Sequence, residues 1–189
     1  AWLGVASLSI LVKRGLSLNA AGMALAHFGV AVSILGATAS GALQREALVT
    51  MRVGEAIEMG PWRAELMDVR PVAGPNWTAI QATLDVRRNG DPVAVLTPQS
   101  RVFVAPPQET TEAGRAGWRL GELYSVIGKP DGTGRWQVHF WVKPLVRLIW
   151  IGGLLMALGG VLALGGKVRA GARRRSAPAE GALPVPQAA

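Results

Sequence analysis

His27 is the residue with the most chemistry to offer. It stands inside a run from Gly15 to Gln44 that contains no Asp, Glu, Lys or Arg. That run is 30 residues long, more than the roughly 20 that a helix needs to cross a bilayer. An imidazole near the middle of such a helix is costly in hydrocarbon, so it usually faces a protein interior, a water path or a cofactor. Its helical neighbours include Ala20, Met23, Ala24, Val30, Ala31 and Ile34. Three alanines on one face predict a shallow trough where a flat, greasy macrocycle can lie, with the imidazole as axial ligand to its iron. The bland alternative is a neutral histidine hydrogen-bonded to a Ser or Thr of a neighbouring helix. Composition leaves both readings open.

The other titratable groups offer less. His139, the second histidine, falls in a strand-like stretch and reads as a surface or interfacial residue. Roughly 21 Å of helix separates His27 from Gly41, at about 1.5 Å per residue, so the two histidines are not expected to share a metal. Glu55/Glu58, Glu65/Asp68 and Glu109/Glu112 are spaced carboxylate pairs, better explained as solvated faces than as acid–base machinery. Gly128-Lys129 is followed by Pro130, which lacks the hydroxyl a phosphate loop needs for Mg²⁺. Gly132-Thr133-Gly134 is a turn signal. With no cysteine, the chain can form neither a disulfide nor a thiolate metal site. No catalytic residue is identified.

The elements that must hold these groups are of two kinds. A helix over residues 16–41 carries His27, and a second uncharged run from Leu148 to Gly166 predicts another span over 146–166. Ala1 to Val12 is apolar but too short to cross alone, and reads as the end of a truncated transmembrane helix (residues 1–12) in a C-terminal piece of a larger protein. Between the spans, residues 42–144 are strand-like. Ile80, Ala82, Leu84 and Val86 alternate with Gln81, Thr83, Asp85 and Arg87, and Asn89-Gly90-Asp91-Pro92 predicts a hairpin back through Val93 to Leu96. Further strands are expected over Leu48–Val53, Trp62–Val69, Arg101–Val104, Trp118–Leu120 and Trp136–Val142, with Glu122–Ile127 either strand or helix and Ala105–Gly114 a loop. Six or so short strands predict a small sandwich or partly open barrel. Gly29, Ser33, Ala37 and Gly41 form one small-residue ridge and Gly153, Ala157 and Gly160 another, as close-packed membrane helices use. Trp141 and Trp150 bracket the entry to the last span as interfacial anchors do.

The net charge of +8 invites a nucleic-acid reading until it is divided by region. Between Ala42 and Lys143 there are 12 Lys or Arg against 11 Asp or Glu. The flanks hold Lys13, Arg14, Arg147, Lys167, Arg169, Arg173, Arg174 and Arg175 against Glu180 alone. Cations at the ends of apolar spans mark the cytoplasmic side, so the basicity reports topology and no nucleic-acid partner is expected. The fold class expected is a membrane protein whose α-helical spans flank a small extracytoplasmic mostly-β domain, with residues 167–189 a disordered basic cytoplasmic tail.

The order of motifs resembles the C-terminal region of CcmF, the membrane haem lyase component of bacterial cytochrome c maturation. The residues that carry it are Ala26-His27-Phe28-Gly29-Val30-Ala31-Val32, Gly74-Pro75-Asn76-Trp77, Thr111-Glu112-Ala113, Leu123-Tyr124 with Gly128, and Trp136-Gln137-Val138. They end with Lys143-Pro144-Leu145-Val146-Arg147-Leu148-Ile149-Trp150 and Gly152-Gly153-Leu154-Leu155-Met156-Ala157. Where that family often shows Pro-Glu-Lys-Arg-X-Tyr, this chain has Pro98-Gln99-Ser100-Arg101-Val102-Phe103, and the place of His139 commonly carries arginine. The resemblance implies that His27 binds haem b as an axial ligand to its iron, in the bacterial inner membrane, with the central domain in the periplasm. It implies partners there: the haem chaperone CcmE, maturation subunits such as CcmH and CcmI, and apocytochrome c, with membrane lipid around the spans. The chain is then part of a haem lyase (holocytochrome c synthase) complex and, alone, is not expected to form thioether bonds. The competing reading is a non-catalytic membrane-anchored docking module, including an assembly protein of the ResB type.

Overall fold

The computed structural model describes residues 17–175. The expected helix end at residues 1–12 lies outside them. The first element, α1 (Leu18–Leu43), is a 26-residue helix. Ser17 starts it: its hydroxyl accepts from the Ala20 amide at 3.2 Å, satisfying one amide without an intrahelical partner, and its carbonyl accepts the first helical bond from the Ala21 amide at 2.9 Å. Ten strands follow: β1 (Arg45–Met51), β2 (Ala56–Met59), β3 (Trp62–Ala73), β4 (Trp77–Arg88), β5 (Asp91–Leu96), β6 (Gln99–Val104), β7 (Pro107–Glu112), β8 (Gly114–Trp118), β9 (Gly121–Pro130) and β10 (Trp136–Lys143). The last element, α2 (Arg147–Arg175), is helical nine residues past the expected span end at Gly166, so the tail is not disordered from Lys167. Residues 176–189 lie outside the described part. Both helices are long and apolar enough to cross a membrane, with mean hydropathy 1.7 for Leu18–Leu43 and 2.1 for Arg147–Ala172.

The described chain divides into two units. In the first, up to Ser33 and from Ile151 onward, α1 and α2 run antiparallel. Their seam is made of glycines seven residues apart: Gly22 and Gly29 on one helix, Gly152, Gly159 and Gly166 on the other. A Cβ added to Gly22 would lie 2.6 Å from the Gly159 carbonyl oxygen, and one added to Gly29 would lie 2.6 Å from the Gly152 oxygen. Only hydrogen fits at these crossings, and backbones this close maximise dispersion where lipid supplies no hydrophobic drive. The expected ridge on α2 is thus displaced by one residue. Gly153 and Gly160 have no neighbour within 4 Å, nor has Gly41 on α1, whereas Gly29 and Ser33 do lie in the seam.

The second unit, Ile34–Trp150, holds the strands. A four-stranded sheet has the order β1-β10-β9-β8, and a second runs β2-β3-β4-β6-β7 with β5 also paired to β4. β5 and β6 are successive pieces of one line beside β4, broken at Thr97-Pro98, where the Ala82 amide donates to the Pro98 carbonyl at 3.0 Å. The inward rows of both sheets meet in one core. Leu66, Leu84, Val86, Val138, Phe140 and Leu123 are fully buried there, each contributing about 1.5–3 kcal/mol of burial. The predicted alternation in β4 is present: Ala82, Leu84 and Val86 are at 0% exposure. Its hairpin to β5 turns at Asn89 (φ 51°) and Gly90 (φ 90°), the two left-handed residues that a tight hairpin demands.

Several expectations are corrected. The loop expected over Ala105–Gly114 is instead a turn followed by β7, paired to β6 from Gln99↔Glu112 to Val104↔Pro107. Its residues are polar because it is an edge strand wet on both faces, so no apolar period betrays it. The strand expected at Trp118–Leu120 ends at Trp118, and Arg119 (φ 51°) and Leu120 form a turn into β9. Glu122–Ile127 is strand, and β2, only four residues long, was not anticipated. At the far end, the Arg147 amide donates to the Leu120 carbonyl at 3.0 Å and its guanidinium to the Arg119 carbonyl at 3.3 Å, fastening the first turn of α2 to the sandwich.

Candidate functional site

His27 lies mid-way along α1, where no charged residue competes with it. Its Nδ1 sits 2.7 Å from the Met23 carbonyl oxygen one turn back. A carbonyl only accepts, so Nδ1 carries the proton and Nε2 is left with a lone pair. The ring is thus oriented by its own backbone, and among the described residues Nε2 has no hydrogen-bond partner. Gly29, two residues on, faces α2, and two residues turn the helix by about 200°. His27 consequently projects from the side of α1 opposite the glycine seam, and the ring is exposed. The expected trough is not open along its length: Ala20 and Ala24, on the side of α1 that carries His27, are 2% and 5% exposed, and of the three alanines only Ala31 is partly exposed.

An imidazole held through Nδ1 by a backbone carbonyl, with Nε2 free, is the arrangement in which histidines ligate metals, since the second hydrogen bond fixes the tautomer and raises basicity. The residues present fit an axial ligand to haem iron on an apolar, uncharged helix face. Among the described residues no group of three or more His, Cys, Asp or Glu could hold a metal ion.

The sandwich carries its chemistry on its outer faces. His139 and Trp141 stack at 3.4 Å between ring centroids, Tyr124 meets Trp141 edge-on at 5.2 Å, and Lys143 Nζ lies 4.8 Å from the Tyr124 ring. His139 Nε2 is 2.7 Å from Glu46 Oε1 across the β1–β10 ladder. His139 thus lies on the outer face of the sheet, stacked on Trp141 and hydrogen-bonded to Glu46.

A second cluster joins three stretches that lie apart in the sequence. Gly74 and Trp77 close the β3–β4 hairpin, with the Gly74 amide donating to the Trp77 carbonyl at 2.8 Å. The indole of Trp77 folds over Gly74, where a Cβ would collide with it. Arg101 lies 4.4 Å over the same ring, and its guanidinium reaches Glu112 at 3.1 Å and Gln99 at 2.7 Å. Sequence reasoning missed this grouping, because only the β4–β6–β7 register brings 77, 101 and 112 together.

The spaced acids are answered by cations. Glu58 and Glu65 flank Arg63 at 2.6 and 3.1 Å, Glu55 meets Arg135 at 3.4 Å, Asp68 meets Arg70 at 3.9 Å, and Glu109 meets Lys129 at 3.1 Å. The two carboxylates hold the Arg63 guanidinium above its usual range, chiefly through the hydrogen bond to Glu65. In the β9–β10 turn, Asp131 accepts from the Thr133 hydroxyl at 2.7 Å and the Thr133 amide at 2.8 Å, which lowers its carboxyl below the ordinary value. These are surface pairs, and none is a buried acid–base couple.

Comparison with known proteins places this architecture. A family profile described as the CcmF C-terminal beta-sandwich matches residues 42–144. The chain is 37% identical over 162 residues to the cytochrome c-type biogenesis protein CcmF of Escherichia coli (strain K12), covering 85% of this chain and 25% of that one. It is 38% identical over 141 residues to CcmF of Pseudomonas fluorescens, covering 75% and 21%. It is 39% identical over 143 residues to the cytochrome c-type biogenesis protein ccl1 of Rhodobacter capsulatus, covering 75% and 22%. The solved structure titled Cytochrome c Heme Lyase CcmF superposes with a TM-score of 0.67 at 24% identity, over 85% of this chain and 28% of that chain. The chain thus spans about a quarter of the length of these relatives. With its mostly-β half-barrel between two apolar helices, it belongs to the CcmF family and corresponds to that family's C-terminal region.

Proposed function

We propose that the chain is the C-terminal part of a cytochrome c haem lyase subunit in the bacterial inner membrane. In this reading His27 is an axial ligand to a transmembrane haem b, and the periplasmic sandwich docks the haem chaperone, other maturation subunits and apocytochrome c. The observation that carries it is the exposed His27 imidazole on an uncharged helix, held through Nδ1 by Met23, with no partner for Nε2 among the described residues. Left unligated in hydrocarbon, that lone pair is an unsatisfied polar atom, which a bilayer penalises. Haem b bound there would supply a one-electron carrier close to the periplasmic chemistry. The chain's own part is positional: Met23 fixes the ring, and the glycine seam sets which way α1 faces. Charge supports the topology, with Lys13 and Arg14 at one end and Lys167, Arg169 and Arg173 to Arg175 at the other on the cytoplasmic side.

The test is an oxidised and dithionite-reduced optical spectrum of the membrane assembly containing this chain, wild type against His27→Ala at equal protein. Reduced b-type bands lost or shifted in the variant are expected. Identical bands in both would sink the ligand role and leave the docking-module reading, which the exposed apolar side chains Leu48, Val95 and Val104 of the sandwich favour.

A further inference from the structure

Both crossings between helix and sandwich lie at one end of the strands. α1 ends at Leu43 and β1 begins at Arg45, while β10 ends at Lys143 and α2 begins at Arg147. Arg45 pairs with Val142, and Lys143 pairs with Glu122 near the start of β9, so β1, β10 and β9 share that end. The pairing of Trp118 with Gly121 adds the last residue of β8. In the second sheet Trp62 pairs with Arg88, and the Asn89 amide donates to the Pro61 carbonyl at 2.8 Å. Trp62 meets Trp118 edge-on at 4.8 Å, which brings this end of the second sheet to the same rim. With α1 and α2 as membrane spans, chain continuity makes this rim the part of the sandwich that meets the lipid headgroups.

The unpaired cations of the sandwich gather there. From Arg45 to Arg147 there are thirteen Lys and Arg. Seven of them have a carboxylate oxygen within 3.9 Å. Six have none among the described residues, and five of those six are Arg45, Arg88, Arg119, Lys143 and Arg147, all at the rim. The sixth, Arg52, follows β1 at the opposite end. The rim acids are mostly engaged: Glu46 by His139 at 2.7 Å, Glu58 by Arg63 at 2.6 Å and Glu122 by Arg115 at 3.9 Å, which leaves Asp91. Positive charge so unbalanced at one end attracts anions. Membrane insertion gives no reason for it, since cations favour the other side of the bilayer. Aromatic rings back these cations: Arg88 and Arg119 lie 5.0 and 5.2 Å from the Trp118 ring, and Lys143 lies 4.8 Å from Tyr124. Stacking occupies the flat face of a guanidinium and leaves its edge N–H groups for an acceptor. A notch of about 310 Å³ opens beside them, lined by Trp118, Arg119, Leu120, Gly121, Pro144 and Leu145.

We propose that this rim binds the headgroups of anionic phospholipids in the leaflet beneath the sandwich. Phosphate oxygens lie on Arg119, Arg147 and Lys143, and the glycerol and upper acyl segments lie in the notch against Trp118 and Leu120. These three cations are neighbours: the Arg147 guanidinium donates to the Arg119 carbonyl at 3.3 Å, and Gly121 packs against the Lys143 carbonyl. Two observations select a lipid. The charge is complementary to phosphate, which guanidinium groups hold with paired N–H bonds. The site is also continuous with the spans, and its apolar members suit the headgroup layer: Leu120 is 43% exposed and Trp150, in the first turn of α2, is 75% exposed. Headgroups held here set the height of the sandwich above the bilayer and steady the link into α2. The site rests on the membrane topology proposed above and is independent of the haem role of His27.

The test places the full chain in lipid nanodiscs of phosphatidylcholine with a rising fraction of phosphatidylglycerol and follows amide hydrogen exchange by mass spectrometry. Exchange in 117–121 and 145–148 should slow as phosphatidylglycerol is added. Arg119→Gln with Lys143→Gln should raise the fraction needed for half the effect by about fivefold per cation. Both side chains touch only aromatic rings, so the melting temperature should hold. The exchanged pair Arg119→Lys with Lys143→Arg should restore the response, and Arg52→Gln should leave it unchanged. Equal exchange in both lipids, or an unchanged response in the double Gln variant, would overturn the proposal. So would a response lost in His27→Ala, which assigns the cations to the haem carboxylates. Slowing that needs the other maturation subunits and ignores phosphatidylglycerol gives the rim to a protein, and overturns it as well. A chain that stays out of the nanodiscs removes spans and rim site together, whereas one that inserts without a phosphatidylglycerol response removes the rim site alone.

Discussion

Replacing Gly29 by Ala tests which glycine row joins the helices. The new Cβ would lie 2.6 Å from the Gly152 oxygen and 2.7 Å from the Met156 amide nitrogen, and ordinary contact begins near 3.4 Å. Both obstacles are backbone, so no side chain can swing away, and the helices must part locally by about 0.8 Å. Overpacking of this kind costs about 1–3 kcal/mol. Against it stands the gain in helix propensity from Gly to Ala, about 0.8–1 kcal/mol. Gly153→Ala brings the same propensity gain with nothing within 4 Å of the new methyl group. The difference between the two variants therefore isolates the packing penalty, about 1–3 kcal/mol, or a factor of roughly 5–150 in an equilibrium. Heating or SDS titration of the full chain in mild detergent, followed by far-ultraviolet circular dichroism, measures it. Gly159→Ala, 2.6 Å from the Gly22 oxygen, should behave like Gly29→Ala, and Gly160→Ala like Gly153→Ala. Equal losses at Gly153 and Gly29 would refute the seam.

Phe140→Ala removes a fully buried ring from the core and should lower sandwich stability by about 3–5 kcal/mol in denaturant unfolding. Gly74→Ala drives a methyl group into the Trp77 indole, so Trp77 should leave Arg101; the expected sign is a shift in tryptophan emission, with about 1–3 kcal/mol lost. Asp131 is the pH-sensitive residue of the β9–β10 turn. Its carboxyl is depressed in the folded state by the Thr133 hydrogen bonds, so its contribution is complete above the unfolded value near 3.8 and disappears as the pH falls through the lower folded value. Carbon-13 NMR titration should show the Asp131 carboxyl moving back toward 3.8 in Thr133→Ala.

What the sequence displays depends on how each element meets solvent. β4 was legible because one of its faces is fully dry and the other wet, which writes a period of two into Ala82, Leu84 and Val86. β7 was not, since an edge strand of Pro, Gln, Glu and Thr has no dry face to mark it. The spans were legible from missing charge alone, but their rotation was not: Gly152 and Gly153 are equivalent in composition, and only the partner's position decides which is buried. His27 stood out as an imidazole in an uncharged run, whereas its tautomer depends on the Met23 carbonyl and needed coordinates. The Trp77–Arg101–Glu112 grouping is set by strand order, which local patterns do not encode.

The seam and the histidine constrain each other. Glycines seven residues apart make the contact between α1 and α2 nearly rigid, because each crossing is backbone against backbone with no side chain to adjust. A rigid contact on one side of α1 fixes the direction of everything on the other. His27 is held twice over, by the seam through the helix and by the Met23 carbonyl through its own ring. A histidine that merely packed would need neither restraint; an axial ligand needs both, since a ligating lone pair has to be aimed as well as present.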